Sequence, residues 1–299
     1  MQRELLGVDW GTSNRRAYLI DNNGNCHEVH EDDQGMLAAA GNFEASLEAL
    51  LNTLKVDAGV PVVMSGMVGS AQGWQEVPYL DTTVALDQLP SKLVPVQGHN
   101  LGRQCFIVPG YRWQGAGVDV MRGEETQLLG ALALGKRDGW IVLPGTHSKW
   151  VLLRDGVVER LSTYMTGELF AAMAAHGTLA ALMKEEGADE SSFEAGVAQA
   201  RSRAPLSNAL FGVRARVVTG AMPAAQARAF VSGLLIGTEF VAAEDFAGSV
   251  PPSLSIIASP ALAERYVRAG AVFGVAVDLL APHSVYCAAL TQFSVESNL

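Results

Sequence analysis

Apolar and polar positions alternate along this chain in two similar blocks. Leu5-Leu6-Gly7-Val8 leads into a polar turn, Gly11-Thr12-Ser13-Asn14-Arg15, and then into a second apolar run, Ala17-Tyr18-Leu19-Ile20. Asp21-Asn22-Asn23-Gly24 and a third extended stretch follow, so residues 5–30 read as a three-stranded antiparallel meander. Asn23-Gly24 supplies the positive φ angles that a tight hairpin needs. The order then recurs: Trp140-Ile141-Val142-Leu143, the turn Gly145-Thr146-His147-Ser148-Lys149, Trp150-Val151-Leu152-Leu153, and Arg154-Asp155-Gly156. Both turns read Gly-Thr-x-x-cation. Two such hairpin units brought face to face would clamp a phosphate group between backbone-rich turns.

Between and after these blocks the spacing changes. Phe43, Leu47, Leu50, Leu51 and Leu54 follow helical periodicity over 42–54. Val60–Met64 reads as a buried strand, and Ser65-Gly66-Met67-Val68-Gly69-Ser70 as the loop at its carboxyl end, where small residues let backbone approach a ligand. Ser65, Gly66, Met67 and Gly69 are candidate substrate contacts there, with Trp74 as part of an aromatic wall; a plain connecting loop is the competing reading. Gln104–Gly110 reads as a strand and turn, 111–120 as a surface loop, and 128–134 as a small-residue helix. An amphipathic helix is expected over 169–185 with Thr166 as its cap, and a solvated loop over 185–194. Helices near 193–203 and 223–246, a strand at 253–258, a helix at 261–269, a strand at 272–277 and a helix at 281–293 complete the chain. The expected division is 1–134 and 135–299, the last helix packing back onto the first part.

Composition narrows the class. The chain has 299 residues, enough for two cores, with 49% hydrophobic and 17% charged residues, as in a globular enzyme. A net charge of -10 argues against a nucleic-acid partner, since no basic stripe is available to a phosphate backbone. Cys26, Cys105 and Cys287 are scattered and odd in number, which suits reduced thiols. The N-terminus has no signal-peptide core and no uncharged run reaches membrane length, so a cytoplasmic location without membrane contact is expected.

Within this frame certain residue types carry chemistry. Asp9 ends the first strand. A turn-forming aspartate is the bland reading, but beside Gly11, Thr12 and Ser13 it suits a carboxylate that positions Mg²⁺ through water near bound phosphates. Arg122-Gly123-Glu124-Glu125 opens a helix just before the second turn. Acidic residues there complement the helix dipole, and Glu124 is also placed to act as general base toward a hydroxyl. Arg122 is the first candidate for holding a substrate carboxylate, with Lys149 and Arg16 behind it, and Glu125 is a further substrate candidate. His147 and Lys149 bring cationic capacity to the second turn. His27 and His30 read as exposed, and His176 as packed in an apolar helix. Ser232-Gly233-Leu234-Leu235-Ile236-Gly237 permits close backbone approach, either to another helix or to a nucleotide. No P-loop or complete Gly-x-Gly-x-x-Gly pattern occurs.

The repeated units resemble the actin, hexokinase and Hsp70-like ATPase fold. That implies an α/β protein of two similar ribonuclease H-like domains, each a mixed sheet with flanking helices, and a cleft between them. More closely, Val8–Asn14, Val63–Ser70, Met121–Gln127, Leu143–Trp150, Met165–Leu169 and Ser232–Gly237 are similar to motifs of the 2-dehydro-3-deoxygalactonokinase family. The resemblance implies ATP- and Mg²⁺-dependent phosphorylation of a 2-keto-3-deoxy sugar acid at its 6-hydroxyl, in galactonate breakdown. It implies phosphate contacts from Asp9, Gly11, Thr12, Ser13, Arg16, Gly145 and Thr146; their place in the repeated turn adds His147 and Lys149, and Gly233 and Ser259 are further candidate nucleotide contacts. Gly123–Gly130 is similar to a stretch of glycerol kinase that contains the base, which again falls on Glu124. Where related kinases place a glycine-rich turn against adenosine, this chain has Ala258-Ser259-Pro260. The expected partner is the small sugar acid alone, with a homodimer left open.

Overall fold

Fourteen strands and ten helices are laid out in a computed structural model that describes residues 4–21, 25–115, 117–184, 189–249 and 251–296. The Asn23-Gly24 turn lies outside the described residues. The first block comprises β1 (Leu5–Trp10), β2 (Arg15–Ile20), β3 (Cys26–Asp32), α1 (Met36–Ala39) and α2 (Phe43–Leu54). Next come β4 (Val62–Gly66), β5 (Leu80–Asp81), β6 (Val94–Pro95), β7 (Cys105–Ile107), β8 (Tyr111–Gln114), β9 (Val118–Met121) and α3 (Glu124–Ala133). The second block comprises β10 (Gly139–Leu143), β11 (Ser148–Arg154), β12 (Val157–Tyr164), α4 (Thr166–Ala175) and α5 (Gly177–Ala180). It continues through α6 (Glu190–Ala200), α7 (Leu206–Val218), α8 (Ala224–Ala247), β13 (Ser253–Ile257), α9 (Pro260–Phe273), β14 (Ala276–Leu280) and α10 (Pro282–Glu296).

The repeat read from the turns extends to the sheets. One sheet has the order β3-β2-β1-β4-β7-β6, the other β12-β11-β10-β13-β14. β1 is antiparallel to β2 and parallel to β4, and β10 is parallel to β13. Each meander therefore continues into a parallel strand that follows a helical crossover, which is the ribonuclease H-like arrangement. β1 is buried along nearly its whole length, so it reads as a continuous apolar run rather than an alternating one. β8 and β9, two strands of a third sheet ordered β5-β8-β9, occupy the segment expected as a loop at 111–120. Gly115 and Gly117 there belong to the connection of a β8–β9 hairpin.

Two compact units result, 1–138 with 152–161 and 280–299, and 139–151 with 162–279. In the first, α2 buries Phe43, Leu47, Leu50 and Leu51 on one face, joining Leu6, Val8, Trp10 and Met64 in a core. In the second, α8 carries Ala227, Phe230, Val231 and Leu235 into a core shared with Met183, Val213 and Met222.

Several local expectations are corrected. The helix expected over 169–185 stops at Ala175, because Gly177 turns the backbone to φ +79°. His176 is exposed at that break rather than packed. The loop expected over 185–194 ends earlier, since Asp189 caps α6 by accepting the Ser192 N–H; residues 185–188 lie outside the described residues. α7 had no expected counterpart. The last strand begins at Ala276 because α9 runs on to Phe273 and ends at Gly274 in the left-handed region.

The cysteines also depart from expectation. Cys26 and Cys287 form a disulfide that joins β3 to α10 across 261 residues, and Cys105 is buried and free. Closing so long a loop restricts the unfolded chain. Cys287→Ser is expected to lower the unfolding free energy by ~2–4 kcal/mol in urea without reductant. Dithiothreitol should erase the difference between variant and wild type. Identical urea midpoints without reductant would contradict the bond.

Candidate functional site

The first turn is built by β1, β2 and α1. The Gly11 N–H donates to the Asn14 carbonyl (2.9 Å), closing the turn between the strands. The Met36, Leu37 and Gly35 N–H groups then donate to the carbonyls of Gly11 (2.9 Å), Thr12 (3.1 Å) and Ser13 (3.2 Å). Carbonyl oxygens that would repel an anion are thereby committed to the start of α1, while Thr12 and Ser13 stay exposed. Gly35 permits this contact, since a Cβ there would overlap the Ser13 backbone.

Asp9 stands opposite Arg16 on β2 and beside Ser65 on β4. Burial pushes its carboxyl up to about 6; Arg16 works against this and Glu124 adds to it. Arg16 is itself paired with Glu31 at 3.0 Å on an exposed face. Among the described residues no group of three or more His, Cys, Asp or Glu side chains could hold a metal. A partly desolvated Asp9 with one opposing cation nonetheless fits the outer coordination of a divalent ion carried by phosphate.

Glu124 is the first residue of α3, reached through Gly123 at φ +111°. Its Oε2 accepts the Arg122 N–H at 3.0 Å. The neighbouring Glu125, expected among substrate contacts, is instead 0% exposed, and both its oxygens accept the Gly123 N–H. Burial, with Glu124 adding to it, pushes Glu125 up to about 8. The two adjacent carboxyls thus occupy different environments.

Arg122 donates from Nη2 to the Val77 carbonyl at 2.7 Å and lies over the Tyr79 ring at 4.3 Å. Its Nε and Nη1 are buried without an acceptor among the described residues. Buried guanidinium donors left unsatisfied are costly. Gly69, expected to face substrate, makes room for this guanidinium: a Cβ would crowd Nη1. Ser65 is 1% exposed and hydrogen-bonded to the Tyr286 hydroxyl at 3.0 Å. Gly66 turns the chain at φ +90° against the Trp10 carbonyl, and Met67 is half-buried. Trp74 packs inward, stacked on Phe43 at 6.5 Å. Of the expected substrate loop, then, Ser65, Gly69 and Trp74 are absorbed by packing.

The second turn repeats the first arrangement. The Glu168 N–H donates to the Thr146 carbonyl at 3.0 Å, and a Cβ on Gly167 would overlap the Gly145 carbonyl oxygen. Gly145, Thr146 and His147 are exposed, and His147 Nε2 meets Glu168 Oε2 at 2.5 Å. Leu143 holds the position of Asp9, two residues before the turn glycine, so this turn brings no carboxylate from its strand. Lys149 is buried on β11, 6% exposed. A cavity of about 600 Å³ opens in front of the turn, lined by Thr166, Leu235, Ile236, Leu262, Arg265 and Tyr266 among others. Gly233, expected at a nucleotide, faces α6, where a Cβ would overlap the Phe193 carbonyl. Ser259 is exposed at the start of α9, its carbonyl accepting the Leu262 and Ala263 N–H groups.

One cluster escaped the sequence reading. Glu239 on α8, 0% exposed, accepts the Trp150 Nε1–H at 2.6 Å, the Thr166 hydroxyl, and the Tyr266 hydroxyl at 2.9 Å. Burial pushes it up to about 7, against those hydrogen bonds. A lone carboxylate on the otherwise apolar face of α8 was the available signal. Gly35 and Gly167, each backing a Gly-Thr turn, were also missed.

Comparisons with known proteins agree on one family. Residues 9–293 match the family described as 2-keto-3-deoxy-galactonokinase. The Rhizobium meliloti (strain 1021) protein named "Probable 2-dehydro-3-deoxygalactonokinase DgoK1" is 40% identical over 250 residues, 81% of each chain. The Escherichia coli (strain K12) 2-dehydro-3-deoxygalactonokinase is 32% identical over 98% of each chain. A crystal structure from Sinorhizobium meliloti, assigned as a 2-dehydro-3-deoxygalactonokinase protein, superposes with a TM-score of 0.90 at 35% identity, covering 97% of both chains.

Proposed function

Because the chain belongs to the 2-keto-3-deoxy-galactonokinase family, we propose that it transfers the γ-phosphoryl group of ATP to the 6-hydroxyl of 2-dehydro-3-deoxy-D-galactonate, in galactonate catabolism. The observation that carries the chemistry is the placement of Asp9, at the end of β1, near enough to Glu124, at the start of α3, for the Glu124 charge to raise it, beside a turn whose carbonyls are bonded to a helix. The substrate is a small sugar acid. Among the described residues no helix is long and apolar enough to cross a membrane.

In this reading Thr12 and Ser13 hydroxyls, with the Gly11–Ser13 backbone, hold phosphate oxygens, and Gly145-Thr146 with His147 does the same from the second turn. Mg²⁺ bound with the triphosphate supplies charge neutralisation. Asp9 would hold that ion through its water shell, and Arg16 opposite Asp9 balances the local charge. Glu124 takes the proton of the attacking hydroxyl as the new O–P bond forms and the bond to the leaving β-phosphate oxygen breaks. Arg122 holds the substrate carboxylate, and the Tyr79 ring fixes the guanidinium plane. Glu125 acts behind them, holding the Gly123 N–H and so the start of α3.

The test is ATP-dependent turnover across keto-deoxy sugar acids that differ at one carbon, following both ADP and phosphosugar. The galacto-configured acid should show the highest kcat/KM. Preference for another epimer would move the substrate, and ADP without phosphosugar would overturn transfer. Arg122→Ala should raise KM for the sugar acid by ~10–100-fold, the loss expected for a charge-assisted hydrogen bond of ~1.5–3 kcal/mol. KM for ATP should stay unchanged. An equal rise in both constants would remove Arg122 from the carboxylate.

A further inference from the structure

Glu239 lies one layer behind the cavity that opens on the second turn. It does not line that cavity, yet Ser148, Thr166 and Tyr266, which do, converge on it. These partners come from three elements. β11 supplies Ser148 and Trp150, the first residue of α4 supplies Thr166, and α9 supplies Tyr266.

Counting protons gives the cluster a direction. Above about pH 7, where Glu239 is ionised, its carboxylate only accepts, so the Trp150 Nε1–H, the Thr166 hydroxyl and the Tyr266 hydroxyl must all donate to it. Tyr266 has one hydroxyl hydrogen. With that hydrogen committed to Glu239, the Ser148 hydroxyl 3.0 Å away must donate to Tyr266 or to Glu239 itself. One buried carboxylate therefore sets the orientation of three hydroxyls. A carboxamide in its place would turn an N–H toward one of these donors and break that order.

The turn itself is reached through α4. Thr166, held by Glu239, is followed by Gly167, which touches the Gly145 carbonyl, and by Glu168, whose N–H holds the Thr146 carbonyl. Ser148 follows the turn directly on its other side. Both ends of the Gly145-Thr146-His147 turn are thus tied to the same carboxylate.

We propose that Glu239 is the positioning residue of the second phosphate turn, fixing through Thr166, Ser148 and Tyr266 the backbone and hydroxyls that receive a nucleoside triphosphate. This rests on the assignment of that turn to ATP phosphates. Glu239→Gln should weaken ATP and ADP binding at least tenfold while leaving sugar-acid affinity within twofold. Thr166→Val should weaken nucleotide binding less, and the double variant should be no weaker than Glu239→Gln alone, because both act through one tether.

Calorimetric titration of the purified full chain with ATP, ADP and the sugar acid reads all of these. A folded Glu239→Gln protein with nucleotide affinity within twofold of wild type would overturn the proposal. So would equal losses for both ligands, the mark of general loosening, or additive losses in the double variant. If Glu239→Gln does not fold, Tyr266→Phe takes its place: it removes one donor and keeps the ring, and should weaken nucleotide binding by ~3–10-fold with sugar-acid binding intact. A Tyr266→Phe protein binding both ligands like wild type would overturn the proposal. Wild-type protein that binds nucleotide but not the sugar acid would refute the substrate reading and leave Glu239 in place. Wild-type protein that binds neither nucleotide would remove both.

Discussion

Glu124→Gln is expected to lower kcat by ~10²–10⁴-fold, the usual contribution of a positioned general base. The glutamine keeps the size of the side chain and can still accept the Arg122 N–H that Glu124 accepts at 3.0 Å. ATP affinity should therefore survive, and the loss should fall on the chemical step. Glu125→Gln is the matched control. Glu125 is pushed up to about 8 by burial, so it holds a proton at neutral pH and its amide analogue changes little charge. Its kcat should stay within about tenfold of wild type, less than a lost base costs. Adjacent carboxyls with environments this different are how one helix start can carry an acceptor and a structural neutral group side by side. Rapid-quench measurement of phosphosugar formation with saturating ATP separates chemistry from binding. Weak ATP binding with retained turnover per bound substrate would take the base assignment away from Glu124.

Asp9→Asn should cost activity and add stability, and the sign follows from the direction of its shift. Burial raises Asp9 from 3.8 to about 6, so the folded state binds the proton more tightly than the unfolded state. The favourable contribution is complete below the unfolded value and is lost as pH rises through about 6. At pH 8 the ligand-free protein carries a desolvated charge costing about 1–3 kcal/mol, allowing for the side chain's partial exposure. Asparagine removes that cost. Urea unfolding without ligand should show Asp9→Asn more stable than wild type at pH 8, less so at pH 5. In the same variant kcat should fall by ~10²-fold or more, since the charge near the phosphates is gone. A variant less stable than wild type at both pH values would contradict the account of Asp9.

What could be read from the chain was local. The two Gly-Thr turns, the strands flanking them and the glutamate opening α3 are all encoded within a few residues, and the strand orders that follow from them recur in both sheets. Non-local pairs were not legible. Cys26 and Cys287 are 261 residues apart, and nothing in their spacing distinguishes a bonded pair from two thiols. The Glu239 cluster draws partners from β11, α4 and α9, so only the isolated charge on α8 hinted at it. Small residues were ambiguous in a consistent way. For Ser65, Gly69 and Gly233 the sequence left a ligand and a packing partner both open; in the fold they respectively bond Tyr286, admit the Arg122 guanidinium and seat α6. Smallness records close approach without saying what approaches. The 111–120 segment shows the opposite error: its two glycines suggested a loop and hid the β8–β9 pairing of Tyr111 with Met121 and Trp113 with Asp119.

The central claim is phosphoryl transfer to a sugar-acid hydroxyl, and ³¹P NMR of one reaction addresses it. Purified protein, ATP, Mg²⁺ and 2-dehydro-3-deoxy-D-galactonate should yield ADP and an equal amount of a phosphomonoester coupled to the C6 protons. ADP accompanied by inorganic phosphate alone, or a phosphomonoester on another carbon, would contradict it.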